Sequence, residues 1–142
     1  MIKICFVCSG NTCRSIMAER LMKKMLKCKK IDDVKVSSKG LFTKGENIAD
    51  NAKVVLKEHK ALASNRKAVQ LKKVDKETLY VVMRDGMEQY INAPKVIKMA
   101  SLIGKDVNDP FGQSLDVYRQ TAREIITGIE VLIQNIIKWR EK

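Results

Sequence analysis

The chain has 142 residues, of which 45% are hydrophobic, and carries a net charge of +12 from 28 basic and 16 acidic side chains. This length suffices for one domain with a buried core, so we expect residues 1–142 to form a single domain. No apolar run approaches the roughly 18 residues of a membrane span, and no signal pattern opens the chain, which together exclude a membrane protein and predict the cytoplasm.

The basic side chains do not form a nucleic-acid-binding pattern. They are spread along the chain, and no aromatic residues alternate with them. A clustered basic patch is typical of nucleic-acid binding, whereas scattered lysines are typical of solvated helix faces. We therefore expect no nucleic-acid partner, and we expect the protein to be a monomer.

Hydrophobic periodicity predicts alternating strands and helices. An apolar run over residues 2–7 indicates a buried central strand of the kind found in parallel sheets. The clearest helix starts at Ser114, after which apolar residues recur at helical spacing as far as Trp139. In chain order we predict a strand over 2–7, a helix over 16–27 capped by Ser15, a strand over 34–37, a helix over 48–59, an irregular link with a short helix over 64–73, a strand over 78–83, a short helix over 87–91, a strand over 96–99 and the long helix.

This order of elements predicts an α/β fold: an open four-stranded parallel sheet with helices on both faces. Ligands of such sheets bind at the carboxyl ends of the strands. Cys8 follows the first strand, and Asp109 lies in the loop after the last strand, fixed by Pro110. We expect Cys8 and Asp109 to meet at that edge.

The loop after the first strand reads Cys8-Ser9-Gly10-Asn11-Thr12-Cys13-Arg14-Ser15. A strand, a short loop of small polar residues and a helix together point backbone N–H groups at an anion. Arg14 at the helix start can grip two oxygens of a tetrahedral oxyanion, and this cationic environment favours the Cys8 thiolate. The loop therefore predicts a nucleophile inside its own phosphate cradle; the alternative is a buried structural thiol beside a surface charge.

The other cysteines do not form a metal or disulfide pattern. Cys5-x-x-Cys8 has the spacing of a redox or zinc half-site, but neighbours three apart on a strand point to opposite faces, and no second pair follows. His59 is the only histidine and is expected at a helix end. We expect reduced thiols, no metal and no cofactor.

The combined motifs resemble a known family. Cys-x5-Arg-Ser near the N-terminus, Met17-Ala18-Glu19 on the next helix and Asp109-Pro110-Phe111-Gly112 far downstream are similar to the low-molecular-weight protein-tyrosine-phosphatase family. The resemblance spans essentially the whole chain. Thr12 and the Asp-Pro-Phe-Gly stretch resemble most closely the bacterial protein-arginine-phosphatase branch of that family.

The resemblance implies that the chain hydrolyses phosphorylated side chains of proteins, which are its expected partners, through a phosphocysteine intermediate. It assigns catalytic roles to Cys8 as nucleophile, Arg14 as oxyanion clamp and Asp109 as general acid and base, without a metal. Ser15 would hydrogen-bond the Cys8 sulfur, and Asn11 would brace the loop. The implied substrate-binding residues are Ser9, Gly10, Asn11, Thr12, Cys13, Ser15 and Phe111.

Each of these residues also has a simpler interpretation. Asp109-Pro110 could be only a turn, and Ser15 only a helix cap. Asn11 could simply tolerate a left-handed conformation. Cys13, which in the family can form a reversible disulfide with the nucleophile, could be a small residue buried under the loop.

The substrate is the least determined part of the prediction. A hydroxyl at Thr12 suits a planar, polar phosphoguanidinium better than a phenyl ring, and Phe111 could stack on either group. Phosphoarginine is therefore preferred, with protein-tyrosine phosphatase activity as the main alternative. An arsenate reductase would need cysteines after Cys28, while a phosphocarrier or a non-catalytic basic binding protein would not need Cys8, Arg14 and Asp109 together.

Overall fold

The computed structural model describes residues 1–63 and 65–141. Its centre is a four-stranded sheet in which every neighbouring pair is parallel and the spatial order is β2-β1-β3-β4. The strands are β1 (Ile2–Cys8), β2 (Val34–Gly40), β3 (Thr78–Val82) and β4 (Val96–Lys98). The predicted open four-stranded parallel sheet is confirmed, and its first strand lies in the interior of the sheet.

The helices are α1 (Arg14–Cys28), α2 (Asp50–Glu58), α3 (Ala100–Ile103) and α4 (Leu115–Arg140), with a 3-10 helix at Met87–Tyr90. The long helix starts one residue after the predicted Ser114, and Ser114 caps it, because its side chain accepts a hydrogen bond from the Val117 N–H. Most of the predicted apolar stripe of α4 is buried, but Trp139 in its last turn is 46% exposed. Within the described residues, no helix is long and apolar enough to cross a membrane.

The two faces of the sheet carry separate apolar clusters. Alternate β1 side chains point to opposite faces, so Phe6 and Cys8 belong to the large cluster under α1, α2 and α4, whereas Cys5 belongs to a smaller cluster on the other face. The face with the smaller cluster is covered by loops and by the 3-10 helix, and Met87 and Ile91 pack there. The four cysteines are free thiols in the described chain, and Cys5 and Cys8 lie on opposite faces as predicted.

The structure differs from prediction at three places, besides shifts of one or two residues at other ends, such as those of α2, which covers Asp50–Glu58 and not 48–59. The second strand continues through Gly40 instead of ending at residue 37, because its last three residues pair with the end of β1. Residues 65–73 form isolated bridges, such as Gln70 with Gly40, and contain no helix; Ser64, the first residue of the predicted link, lies outside the described residues. The four-residue helix α3 is too short to leave a periodic signal.

Gly40 lets the second strand end against the loop that follows the first. A Cβ atom at this position would lie 3.0 Å from the Gly10 carbonyl carbon and 3.1 Å from Asn11. The backbones also join there, since Leu41 N–H donates to the Cys8 carbonyl at 2.9 Å. The end of β2 thus supports the loop after β1 from the side.

Candidate active site

The Cys8 sulfur lies at the base of the loop between β1 and α1. It is almost fully buried, it accepts a hydrogen bond from the Asn11 N–H at 3.2 Å, and it lies 3.0 Å from the Ser15 hydroxyl. Asn11 has a φ of +56°, which turns the chain so that its N–H faces the sulfur. Donors aimed at a sulfur stabilise its anionic form, which is the nucleophilic one.

Ser15 does not cap α1, so that part of the prediction was wrong. The helix begins one residue earlier, at Arg14, and its N-cap position is Cys13, which makes no side-chain capping bond. The Ser15 side chain instead points back under the loop to Cys8 and Asn11. It is fully buried there, in the position that the family resemblance implies.

Arg14 is buried and held in place by the surrounding chain. Nη1 donates to the Val107 carbonyl at 3.0 Å and Nη2 to the Ser9 hydroxyl at 3.4 Å, while only 3% of the residue is exposed. Its Nε has no hydrogen-bond partner among the described residues. A buried donor left unpaired costs about 1–3 kcal/mol of free energy. An anion that accepts this N–H would remove that cost and would bind more tightly for that reason.

Asp109 approaches Arg14 from the loop between α3 and α4. Its Oδ2 lies 3.8 Å from Arg14 Nη2, and its side chain is 48% exposed. Its Oδ1 accepts the Phe111 N–H at 3.1 Å, so the Asp-Pro sequence does form a local turn. The turn is therefore compatible with a place in the site, and the structure brings Asp109 to the same cavity as Cys8.

These groups surround an open cavity of about 450 Å³. Most of the predicted site residues line it, while Asn11 and Ser15 lie beneath its floor. Three further lining residues, which follow β2, were not predicted; their only signal in the sequence is that β2, like β1, ends at this edge. The lining residues are Cys8, Ser9, Gly10, Thr12, Cys13, Arg14, Phe42, Glu46, Asn47, Asp109 and Phe111.

A larger cavity of about 690 Å³ lies at the opposite edge of the sheet, near Ile2, Lys3 and Trp139. It contains no cysteine and none of the predicted site residues. Its size alone does not make it the functional site, because chemistry requires convergent reactive groups. The smaller cavity has them.

Asn11 uses its whole side-chain amide to fix the loop. Nδ2 donates to the hydroxyls of Ser15 at 2.6 Å and Ser38 at 3.0 Å. Oδ1 accepts from the Val69 N–H at 2.9 Å and from Arg66 Nη2 at 3.0 Å. Asn11 therefore combines both of its predicted features, a left-handed backbone and a brace inside the loop.

Cys13 is buried at the side of the cavity and contacts α4. Its sulfur is 3.3 Å from the Tyr118 hydroxyl of α4 and 3.7 Å from Thr12 Oγ1. Burial raises the pKa of the Cys13 thiol, and burial together with the Cys13 contact raises the pKa of the Tyr118 hydroxyl. Tyr118 was predicted only as part of an apolar stripe, but its hydroxyl contacts the loop.

A cluster of charges around the buried Glu19 carboxylate, behind the loop, was not predicted. The Glu19 carboxylate of α1 accepts the Ser38 hydroxyl at 2.8 Å and lies within ion-pair distance of Arg20, Lys23 and Arg66. Burial lowers the pKa of the Arg66 guanidinium, and the Glu19 charge opposes that shift. Only Glu19 in this cluster had been quoted as part of a motif.

The fold and the loop geometry define a cysteine-based phosphatase site on a parallel α/β sheet. The family model described as low molecular weight phosphotyrosine protein phosphatase matches residues 3–142. The chain therefore belongs to the low-molecular-weight protein phosphatase family, and it is an enzyme, a hydrolase of that class. The family resemblance drawn from the sequence is confirmed.

Relatives within the family carry two different substrate names. The chain is 35% identical to the low molecular weight protein-tyrosine-phosphatase PtpB of Staphylococcus haemolyticus, over 94% of this chain and 99% of that protein. It is 34% identical to a protein-arginine-phosphatase of Geobacillus stearothermophilus, over 94% and 95% of the two chains. A YwlE arginine phosphatase mutant with a phosphorylated active-site serine superposes with a TM-score of 0.87 at 30% identity, over 99% of each chain.

Proposed function

We propose that this enzyme hydrolyses phosphoarginine side chains of proteins through a phosphocysteine at Cys8. The observation that carries the substrate assignment is that three residues with side-chain oxygens, Thr12, Glu46 and Asp109, line the cavity above Cys8. Hydroxyl and carboxylate oxygens can accept the N–H groups of a phosphoguanidinium, whereas a phenyl ring offers them none. The arginine phosphatases among the relatives support the same assignment.

In the first step, the Cys8 thiolate attacks phosphorus in line with the leaving nitrogen. The S–P bond forms, the P–N bond breaks, and the nitrogen takes a proton from Asp109. Arg14 and the N–H groups of the loop hold the three equatorial oxygens and stabilise their charge. The unpaired Nε of Arg14 supplies a donor for one of those oxygens.

In the second step, Asp109 takes a proton from a water molecule, which attacks the phosphocysteine. The S–P bond breaks, inorganic phosphate leaves, and the electron pair returns to the Cys8 sulfur. The Ser15 hydroxyl and the Asn11 N–H, at 3.0 and 3.2 Å, stabilise the departing thiolate. This proposal takes the enzyme to work as a single-domain monomer in the cytoplasm on phosphorylated proteins, with no nucleic-acid partner.

A second candidate substrate is phosphotyrosine. Phe42 and Phe111 line the same cavity and are 65% and 66% exposed, so a phenyl ring could pack between them. The chemistry of both steps would be the same, with oxygen in place of nitrogen as the leaving atom. The distinction between the two substrates therefore depends on the cavity wall.

The experiment compares phosphoarginine and phosphotyrosine peptides of the same sequence, under reducing conditions, with Cys8→Ser as the inactive control. We expect the phosphoarginine peptide to be hydrolysed faster. We expect Thr12→Val, which keeps the shape and removes the hydroxyl, to lower that preference about tenfold, the effect of roughly one hydrogen bond.

Faster hydrolysis of phosphotyrosine by the wild type would contradict the substrate assignment and leave the mechanism intact. A stable phosphocysteine that is not hydrolysed would instead indicate a phosphocarrier. Equal preferences in the wild type and Thr12→Val would contradict the role given to the Thr12 hydroxyl.

A further inference from the structure

We propose that Arg66 is a positioning residue, which together with the Val69 N–H fixes the orientation of the Asn11 amide and so directs the Ser15 hydroxyl proton toward the Cys8 sulfur. This inference rests on the proposed phosphocysteine mechanism. Arg66 lies in the irregular segment before β3 and does not line the cavity. Any effect on the chemistry must therefore pass through other residues.

Arg66 connects three parts of the chain behind the loop. Its Nη2 donates to Asn11 Oδ1 at 3.0 Å and to the Ser38 carbonyl at 2.8 Å. Its Nη1 donates to the Ser38 hydroxyl at 3.1 Å and lies 3.6 Å from Glu19 Oε1. A planar guanidinium can make these contacts at once because its donors form a rigid fork.

The direction of each hydrogen bond in this network follows from its two charged ends. Glu19 is a carboxylate and can only accept, so the Ser38 hydroxyl donates to it at 2.8 Å. Ser38 Oγ must then accept from Asn11 Nδ2, which lies at 3.0 Å. Arg66 Nη2 and the Val69 N–H, at 3.0 and 2.9 Å, can only donate, so the oxygen of the Asn11 amide must face them.

With the amide fixed in this orientation, Asn11 Nδ2 donates to Ser15 Oγ at 2.6 Å. The single proton of Ser15 then has two acceptors in reach, the Cys8 sulfur at 3.0 Å and the Lys39 carbonyl at 3.4 Å. The sulfur is the nearer, and its negative charge makes it the stronger acceptor. If the amide were reversed, Oδ1 would face Ser15 and would compete with Cys8 for that proton.

The consequence falls mainly on the second step. A thiolate that has lost the Ser15 hydrogen bond is a poorer leaving group, so breakage of the S–P bond slows. In the first step the same loss has a smaller effect, because a sulfur without that hydrogen bond is also a stronger nucleophile. Phosphocysteine hydrolysis should therefore be slowed more than phosphocysteine formation.

The test uses para-nitrophenyl phosphate, whose good leaving group makes the first step fast. Wild type, Arg66→Met and Arg66→Lys are compared by rapid-quench measurement of the nitrophenol burst and of the steady-state rate. We expect Arg66→Met to lower kcat about tenfold, the effect of roughly one hydrogen bond. The burst should be close to one nitrophenol per enzyme molecule, and the rate of the first step should change little. Arg66→Lys should recover part of kcat, since an ammonium group can still donate to the Asn11 oxygen.

Arg20→Met is the matched control. Arg20 Nε lies 2.9 Å from the same Glu19 carboxylate, but Arg20 makes no hydrogen bond to Asn11 or Ser38. Both variants remove one positive charge from the cluster, so differences between them report the contacts to the loop. Arg20→Met should keep the wild-type kcat.

A double-mutant cycle with Ser15→Ala separates positioning from a general loss of structure. If Arg66 acts through Ser15, then adding Arg66→Met to Ser15→Ala should cause no further loss of kcat. If Arg66→Met does not fold, Arg66→Lys takes its place in the same cycle. Additive losses, or equal kcat values for Arg66→Met and Arg20→Met, would overturn the proposal. A wild type without turnover would instead contradict the proposed function.

Discussion

The two loops that meet over the cavity are built in opposite ways. In the loop of residues 8–15, Cys8, Asn11 and Arg14 are all buried and each is held by hydrogen bonds. In the loop of residues 108–113, the Asp109 side chain is about half exposed and Phe111 is more exposed still. One side of the cavity is fixed in advance, and the other remains open to solvent.

This difference matches the work proposed for each loop. Stabilising charge on a phosphoryl group requires donors that do not reorganise during the reaction. A group that gives a proton in one step and takes one from water in the next needs contact with solvent. The rigid loop is therefore assigned to the phosphoryl group, and the exposed loop to proton transfer.

The largest expected effects come from one substitution in each loop. Arg14→Lys removes the forked donors of the guanidinium group and the contact to the Val107 carbonyl. It should lower kcat/KM about 10²- to 10³-fold for every substrate. Asp109→Asn should lower it about 10²- to 10⁴-fold for phosphopeptides, where the leaving atom needs a proton. For para-nitrophenyl phosphate the Asp109→Asn loss in the first step should be far smaller, which steady-state and burst rates can measure.

Thermal unfolding of both variants serves as the control for loss of structure. Asp109→Asn should unfold at the wild-type temperature, because the exposed Asp109 side chain contributes little to packing. The contrast between the loops would be refuted if Arg14→Lys were sensitive to the leaving group in the same way as Asp109→Asn. It would also fail if Asp109→Asn slowed the first step equally with both kinds of substrate.

A smaller effect is expected from the support of the rigid loop. Gly40→Ala places a methyl group 3.0 Å from the Gly10 carbonyl carbon, and forcing that contact should cost about 1–3 kcal/mol of unfolding free energy. The loop must shift, so kcat should fall several-fold. Denaturant titration and steady-state kinetics measure the two effects.

Gly104→Ala provides the comparison. Gly104 has a φ of +82° with open space around its Cβ position, so alanine there is strained but touches nothing. It should reduce stability without reducing kcat. Equal activity losses in the two glycine variants would show that stability, and not loop position, controls the rate.

The smallest predicted effect concerns pH. Burial raises the pKa of Cys13 above its ordinary value of 9.0, so the folded state holds this proton more tightly than the unfolded chain. The resulting stability is fully present below pH 9 and is lost as the pH rises through the higher native pKa. The free energy of unfolding should therefore fall above pH 9, and Cys13→Ala should weaken this dependence.

Cys28→Ala is the matched control, because Cys28 is exposed at the end of α1. It should leave the pH dependence of stability unchanged. An unchanged slope in Cys13→Ala would contradict the stated effect of burial on the Cys13 thiol.

Local patterns placed Cys8 at the end of the first strand and Arg14 at the start of the next helix, as the structure has them. The rule that parallel sheets bind ligands at the carboxyl ends of their strands predicted that Asp109 meets Cys8 there, while its proposed role came from the family resemblance. The strand of residues 2–7 and the helix after Ser114 are long, periodic and clearly delimited, so they were placed correctly.

The residues that position the site were harder to predict because they act through long-range contacts. Arg66 and Ser38 are 55 and 27 residues away from Asn11 along the chain. Nothing in the sequence near Arg66 distinguishes it from the surface lysines around it. The extension of β2 to Gly40 was missed for the same reason, since that strand end is defined by its pairing with β1.

The most direct test of the account is to trap the phosphoenzyme. Asp109→Asn, mixed with para-nitrophenyl phosphate, whose leaving group needs no proton, and quenched in acid, should carry one phosphoryl group, and fragmentation by mass spectrometry should place it on Cys8 and not on Cys5 or Cys13. The same sample with Cys8→Ala should carry none. Phosphate release without any modified Cys8, or modification of another residue, would contradict the central claim.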